Sequence, residues 1–206
     1  MTLVDLSHPI TTGMPVWPGD PEVALVTAAT VPTHGYNLHS VHLGSQTGTH
    51  VDAPFHVDDA LPTLDQLPLD RFTGPALVAD LRGQDGPIRP EDLDHLELRP
   101  GVVLLLCTGW SRHWGHDEYA NHPWLDPSAA RLLLGFGIRT VGIDAPSIDE
   151  PGSADLPTHH VLARAGVVIA ENLTNLDQVP TGATVWLLPL PIAGTDGAPV
   201  RAVAVI

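Results

Sequence analysis

The sequence predicts an α+β fold, mostly β, with a sheet-rich core covered by about three short helices. Three observations predict it. PALVADL (75–81) and VVLLLCT (102–108) are continuously apolar, as strands buried on both faces are. The back half alternates strand-like and helix-like segments, whereas residues 1–60 read as extended. The 21 prolines and 19 glycines punctuate many short elements, with no tandem repeat or linker, so residues 1–206 are expected to form a single domain.

Taken in order, VDLSHPI, PEVALVTAATV and YNLHSVHLGS are the extended front segments. In the third, Leu38, Ser40 and His42 share one face, and Asn37, His39, Val41 and Leu43 share the other, because side chains alternate along a strand. After the strand at 75–81, RPEDLDHLEL starts a helix at Pro90 with acids in its first turn. Beyond VVLLLCT, DPSAARLLLGFGI is a short amphipathic helix from Asp126, ended by Gly135 or Gly137. IRTVGIDAP is a strand, LPTHHVLARAG a helix capped by Thr158 and stopped at Gly166, and VVIAENL the strand that follows. ATVWLLPLPI and PVRAVAVI are expected to pair as a hairpin across the GTDG turn.

Composition removes several classes of function. With 43% hydrophobic and 16% charged residues the chain is an ordinary globular protein. It has 24 acidic against 9 basic residues, a formal net charge of −15, and all nine bases are arginines. Nucleic-acid binding is excluded, because a phosphate backbone needs a basic face. Lysine chemistry, such as Schiff bases or pyridoxal phosphate attachment, is excluded too. No apolar run is long enough to span a bilayer, so no membrane partner is expected. MTLVDLSHPI has no basic region ahead of an apolar core, so the expected location is the cytoplasm. Cys107 is the lone cysteine, which rules out an internal disulfide, and its apolar strand makes it a structural thiol rather than a nucleophile.

The histidines carry the chemistry. QTGTHVDAPFH (46–56) holds His50, Asp52 and His56 within seven residues. On a strand, His50 and Asp52 face the same way with origins about 7 Å apart, close enough to converge on one cation. Ala53-Pro54 stops the strand, so His56 leaves on a bend beside the ligands, where a proton shuttle belongs. The competing reading is a polar strand end in which Asp52 caps the next turn, and spacing alone does not separate the two. A second incomplete cluster is Thr158-His159-His160, followed by Glu171 at the end of the apolar strand VVIAENL. A carboxylate there must be paired, solvated at an edge or bound to metal. Each cluster lacks ligands that the other supplies.

QTGTHVDAPFH resembles the H-x-G-T-H-x-D-x-P-x-H signature of the cyclase family of metal-dependent hydrolases, which includes bacterial kynurenine formamidase and isatin hydrolase. MPVWPGDPE, GIDAPSID, THHVLARAGVVIAENL and WLLPLPIAGTDGAPVRAVAV resemble further family segments in the right order, so the resemblance runs along nearly the whole chain. It implies a swivelling β/β/α fold, assembled as a homodimer or homotetramer. It also implies one or two divalent ions, zinc or manganese, held by His50, Asp52, His159 and Glu171, with Asp52 bridging and His56 as general acid/base. His159 rather than His160 is the implied ligand. The implied reaction is hydrolysis of the C–N bond of a small aryl or cyclic amide, as in an arylformamidase, by metal-activated water. The alternatives are an isatin-type cyclic amide, imide or lactone as substrate, or an inactive metal-binding oligomer.

Gln46 departs from the signature, which has a histidine there. Its neutral amide oxygen could bind the metal and shift preference toward manganese or magnesium; it could leave the position to water; or it could weaken one site so that a single ion is held. Trp17 in VWPGD matches an aromatic or apolar position of relatives and is a substrate-stacking candidate, with a core tryptophan as the competing reading. Arg112 in TGWSRHWG is either a carboxylate receptor or part of a surface loop.

Overall fold

A computed structural model describes residues 1–206. Its strands are β1 (Leu3–Asp5), β2 (Ala24–Ala29), β3 (Leu38–His42), β4 (His50–Asp52), β5 (Thr73–Asp80), β6 (Pro87–Ile88), β7 (Val103–Cys107), β8 (Trp124–Leu125), β9 (Thr140–Ile143), β10 (Val168–Glu171), β11 (Thr184–Trp186), β12 (Gly197–Pro199) and β13 (Val203–Val205). Its α-helices are α1 (Val31–His34), α2 (Pro90–Leu93), α3 (Pro127–Gly135) and α4 (Pro157–Ala163). Nine strands form one sheet in the order β1-β13-β11-β5-β7-β9-β10-β4-β12. Its centre, β5-β7-β9-β10, is parallel, and the flanks are antiparallel.

The apolar runs behave as their composition dictates. Along β7, Val103, Leu105 and Cys107 enter one buried cluster, while Leu104 and Leu106 enter a second on the opposite face. The second cluster is roofed by Leu93 of α2, Ala129, Ala130 and Leu133 of α3, and Leu162 of α4. The first contains Val4 from one end of the sheet and Ala198 from the other, so the sheet curls around it. Asp126 caps α3, its side chain accepting from the Ser128 amide at 2.7 Å. The mostly β fold with short helices is the one the sequence predicts.

Two local expectations differ. β11 and β13 do pair antiparallel, with Thr184 opposite Val205 and the Pro189–Val200 bridge continuing that register, and GTDG lies in the loop between them, but that loop is longer than a tight turn. It leads into β12, which crosses to the far edge and pairs with β4, Gly197 opposite Asp52. Thr158 does not cap α4 either. Its hydroxyl donates to the Leu125 carbonyl, and the helix start is held instead by Asp149, whose oxygens accept from the Thr158 and His159 amides at 2.6 and 3.0 Å. A buried carboxylate satisfies two free N–H groups where a hydroxyl satisfies one.

Candidate functional site

The register of β4 brings the two clusters together. β4 lies antiparallel to β10, with His50 opposite Glu171 and Asp52 opposite Ile169. Opposite residues share a face, so His50, Asp52 and Glu171 project toward α4, while Val51 and Ala170 enter the other apolar cluster. Asp149 anchors the first turn of α4 and thereby aims His159 back at the sheet. All four side chains are buried.

Their contacts form a ring. His50 Nε2 lies 3.4 Å from Asp52 Oδ1 and 3.5 Å from Glu171 Oε2. His159 Nε2 lies 3.6 Å from Asp52 Oδ2 and 3.4 Å from Glu171 Oε1. Each carboxylate therefore offers one oxygen to each imidazole. The other ring nitrogens are committed: His50 Nδ1 to the Gly48 carbonyl at 2.7 Å, and His159 Nδ1 to Asp149 Oδ2 at 2.7 Å. That arrangement leaves both Nε2 atoms as the inward-facing donors, the tautomer a cation needs. Both Asp52 oxygens and His159 Nε2 are buried without a hydrogen-bond partner. Buried polar atoms of this kind are rare unless an ion or water meets them. Glu171 Oε1 also accepts from the Ile148 amide at 2.6 Å. Nitrogen and carboxylate donors converging with orphaned lone pairs fit a divalent cation.

Two glycines permit this packing. Gly48 sits at φ +62°, and its carbonyl accepts from both His50 Nδ1 and Asn172 Nδ2. At Gly197, a Cβ would stand 2.5 Å from the Val51 carbonyl oxygen and 2.8 Å from Gln46 Nε2. Gly197→Ala is expected to destabilise the chain by about 1–3 kcal/mol and to lower metal occupancy, measured by thermal melts and metal analysis.

The electrostatics suit a cation. Burial would lower the pKa of His50, but Asp52 and Glu171 outweigh it and raise the ring to about 9. Against the same desolvation, Asp149, Asp52 and Glu171 raise His159 to about 10. In the metal-free protein both rings carry protons at neutral pH that a metal must displace. The sign follows: their folded values lie above the ordinary 6.5, so their stabilisation of the metal-free fold is complete below about pH 6.5 and is lost as pH rises through 9 to 10. Metal-free protein is expected to melt lower at pH 9 than at pH 6.5, while the stabilisation gained on adding metal grows over that range. Melts of chelator-treated and metal-loaded samples check this.

His56 stands on the 3₁₀ turn Pro54–His56 that ends β4, its ring centroid 5.5 Å from that of His159. Its Nδ1 lies 3.0 Å from Asp196 Oδ2. Gln46 lies on this side of the cluster, its Nε2 on Asp196 Oδ2 at 2.7 Å. His160 is not in the ring. The ring opens onto a cavity of about 750 Å³ whose wall includes Trp17, Trp114, Tyr119 and Leu156. Trp17 is 45% exposed there rather than packed in the core. Trp114 stacks on His8, with centroids 4.1 Å apart. Arg112 does not face this cavity; it borders a separate small one with Cys107 and Asp144. Burial pushes the Cys107 thiol up to about 12, which suits a structural role.

Sequence reasoning missed Asp149, Asp196, Tyr119 and Asn172. Tyr119 Oη donates to Asn172 Oδ1 at 2.8 Å, extending the Gly48 network that holds His50. Asp149 lay in GIDAPSID and Asp196 in GTDG, where an aspartate reads equally well as turn chemistry.

The chain is similar to known proteins over nearly its whole length. Residues 4–150 match the family described as "Putative cyclase". A kynurenine formamidase from Salinibacter ruber is 40% identical over 98% of this chain and 97% of its own length. Isatin hydrolase A from Labrenzia aggregata, solved with benzyl benzoate bound, superposes with a TM-score of 0.91 at 28% identity, covering 98% of this chain and 93% of that one. A potential metal-dependent hydrolase with cyclase activity superposes at 0.82 with 32% identity, covering 98% and 96%.

Proposed function

The chain belongs to the cyclase family, and from that premise we propose that it is a metal-dependent hydrolase cleaving the C–N bond of a small, non-peptide aryl amide, in the manner of an arylformamidase. The observation that carries the reading is the ring in which Asp52 and Glu171 each lie between His50 and His159, with both Asp52 oxygens unpartnered.

His50, Asp52, His159 and Glu171 would hold a divalent cation, zinc or manganese, as one ion or two. Gln46 can join only through Oε1, because its nitrogen donates to Asp196; a neutral oxygen donor favours manganese over zinc. The chemistry such an ion would supply is a lowered pKa for water and a polarised amide carbonyl. His56 does the proton work: it takes a proton from the attacking water and returns one to the departing nitrogen, so that the amine leaves neutral. Trp17 and Trp114 offer apolar faces for an aryl ring. The likeness to isatin hydrolase A supports a second reading, in which the amide is cyclic and its amine stays attached to the product.

The whole chain serves this reaction as one unit. The β2–β3 pair leaves Leu25, Val26, Leu38 and Val41 exposed, which supports assembly into a homodimer or homotetramer. No helix is long and apolar enough to cross a membrane, and with one buried thiol the cytoplasm is the proposed compartment. The test is metal analysis coupled to a hydrolysis screen over N-formyl anilides, isatin and cyclic imides. Turnover that a chelator abolishes and added metal restores is the expected result. Metal-replete protein inactive across the panel would overturn it.

A further inference from the structure

We propose that Asp196 is a positioning residue for His56, and that Gln46 belongs to this anchor because its amide group clamps the same Asp196 oxygen. The inference rests on the hydrolase reading above and gives Gln46 a role besides any contact with the metal.

Asp196 Oδ2 receives Gln46 Nε2 at 2.7 Å and His56 Nδ1 at 3.0 Å, and Asp196 Oδ1 accepts from Ser45 Oγ at 2.7 Å. An ionised carboxylate only accepts, so the Gln46 amide must present its NH₂ group, and the proton between His56 and Asp196 must sit on Nδ1. Gln46 Nε2 and His56 Nδ1 are then two donors aimed at one oxygen, which accounts for their 3.2 Å approach without a bond between them. With Nδ1 protonated, the neutral ring has its lone pair on Nε2, free to accept the proton of water. When that proton arrives, the charge on the ring lies against Asp196, which stabilises it, and the ring cannot rotate away while Oδ2 holds it.

The backbone makes the anchor rigid. The Asp196 carbonyl accepts from the Ala53 amide at 2.7 Å, and the next residue, Gly197, pairs with Asp52. Asp196 is thus tied to the strand end that carries both Asp52 and His56. His56 lines the cavity, and the Asp196 and His56 side chains are 30% and 26% exposed, so loss of the pair leaves no deeply buried orphan. Asp196 is held well below the usual carboxylate range, chiefly by His56, with Ser45 and Gln46 adding to it.

The experiment is a double-mutant cycle on metal-loaded protein with a hydrolysed aryl amide, together with ¹⁵N-histidine NMR. Asp196→Ala is expected to lower kcat about 10- to 100-fold with KM and metal content unchanged. In a His56→Ala background the same change is expected to cost nothing further, since Asp196 acts only through His56. An equal loss in both backgrounds, or a wild-type kcat in the single variant, would overturn the proposal. The NMR arm needs no substrate and so separates this inference from the reaction itself. Above the pKa of His56 its resonances, assigned by their absence in His56→Ala, are expected to report a proton on Nδ1 in the wild type and its loss in Asp196→Ala. A proton on Nε2 in the wild type would overturn it. Asp196→Asn, which keeps the shape and removes the charge, serves where alanine lowers the melting temperature, and is expected to reduce kcat in the same background-dependent way.

Discussion

Asp52→Ala is expected to lose bound metal and to fall about 10³-fold or more in kcat/KM, because metal catalysis supplies several kcal/mol of transition-state stabilisation. Like those of Glu171, the two oxygens of Asp52 face the two imidazoles, at 3.4 Å from His50 and 3.6 Å from His159. Neither oxygen has another hydrogen-bond partner, so what alanine removes is the charge that Asp52 sets against the two buried rings. Glu171 alone then faces both rings, so a thermal melt accompanies the metal analysis and is expected to show a folded but less stable metal-free variant. Metal content by elemental analysis and turnover at saturating metal are the two readouts. Wild-type values of both would end the metal-hydrolase reading.

His56→Ala is expected to separate chemistry from metal binding. General acid–base catalysis contributes about 10²- to 10⁴-fold, and that is the loss in kcat expected here. His56 is not in the four-residue ring, so metal content and KM should hold near wild type. A kcat within twofold of wild type would remove His56 from the mechanism, and a parallel loss of metal would make it a ligand instead. The burial of His56 acts to lower its pKa, yet Asp196 and Asp52 raise it above the ordinary value, so the ring is disposed to hold a proton for the leaving nitrogen.

Much of this was legible from local pattern. The apolar strands at 75–81 and 102–108 are the sheet centre, because a segment buried on both faces has no polar side to show. Helices were found where proline or aspartate opened them, at Pro90 and Asp126, since those signals act within one turn. His50 and Asp52 share a face because the strand period is two, and Pro54 turns His56 out of the strand. GTDG does lie inside the β11–β13 hairpin; what local pattern does not show is that its last residue opens β12, which pairs with the distant β4.

The sequence by itself determined which side chains could bind a cation and which short segments carry them, since alternation, capping and proline geometry act over a few residues. Only the tertiary structure decided that Glu171 lies opposite His50, that Asp149 aims His159 rather than His160 inward, and that Asp196 reaches back to Gln46 and His56 across 150 and 140 residues of chain. The reason is physical. Register and strand order are set by burying two apolar clusters over the whole sheet at once, and that free energy is written in no single stretch of the chain.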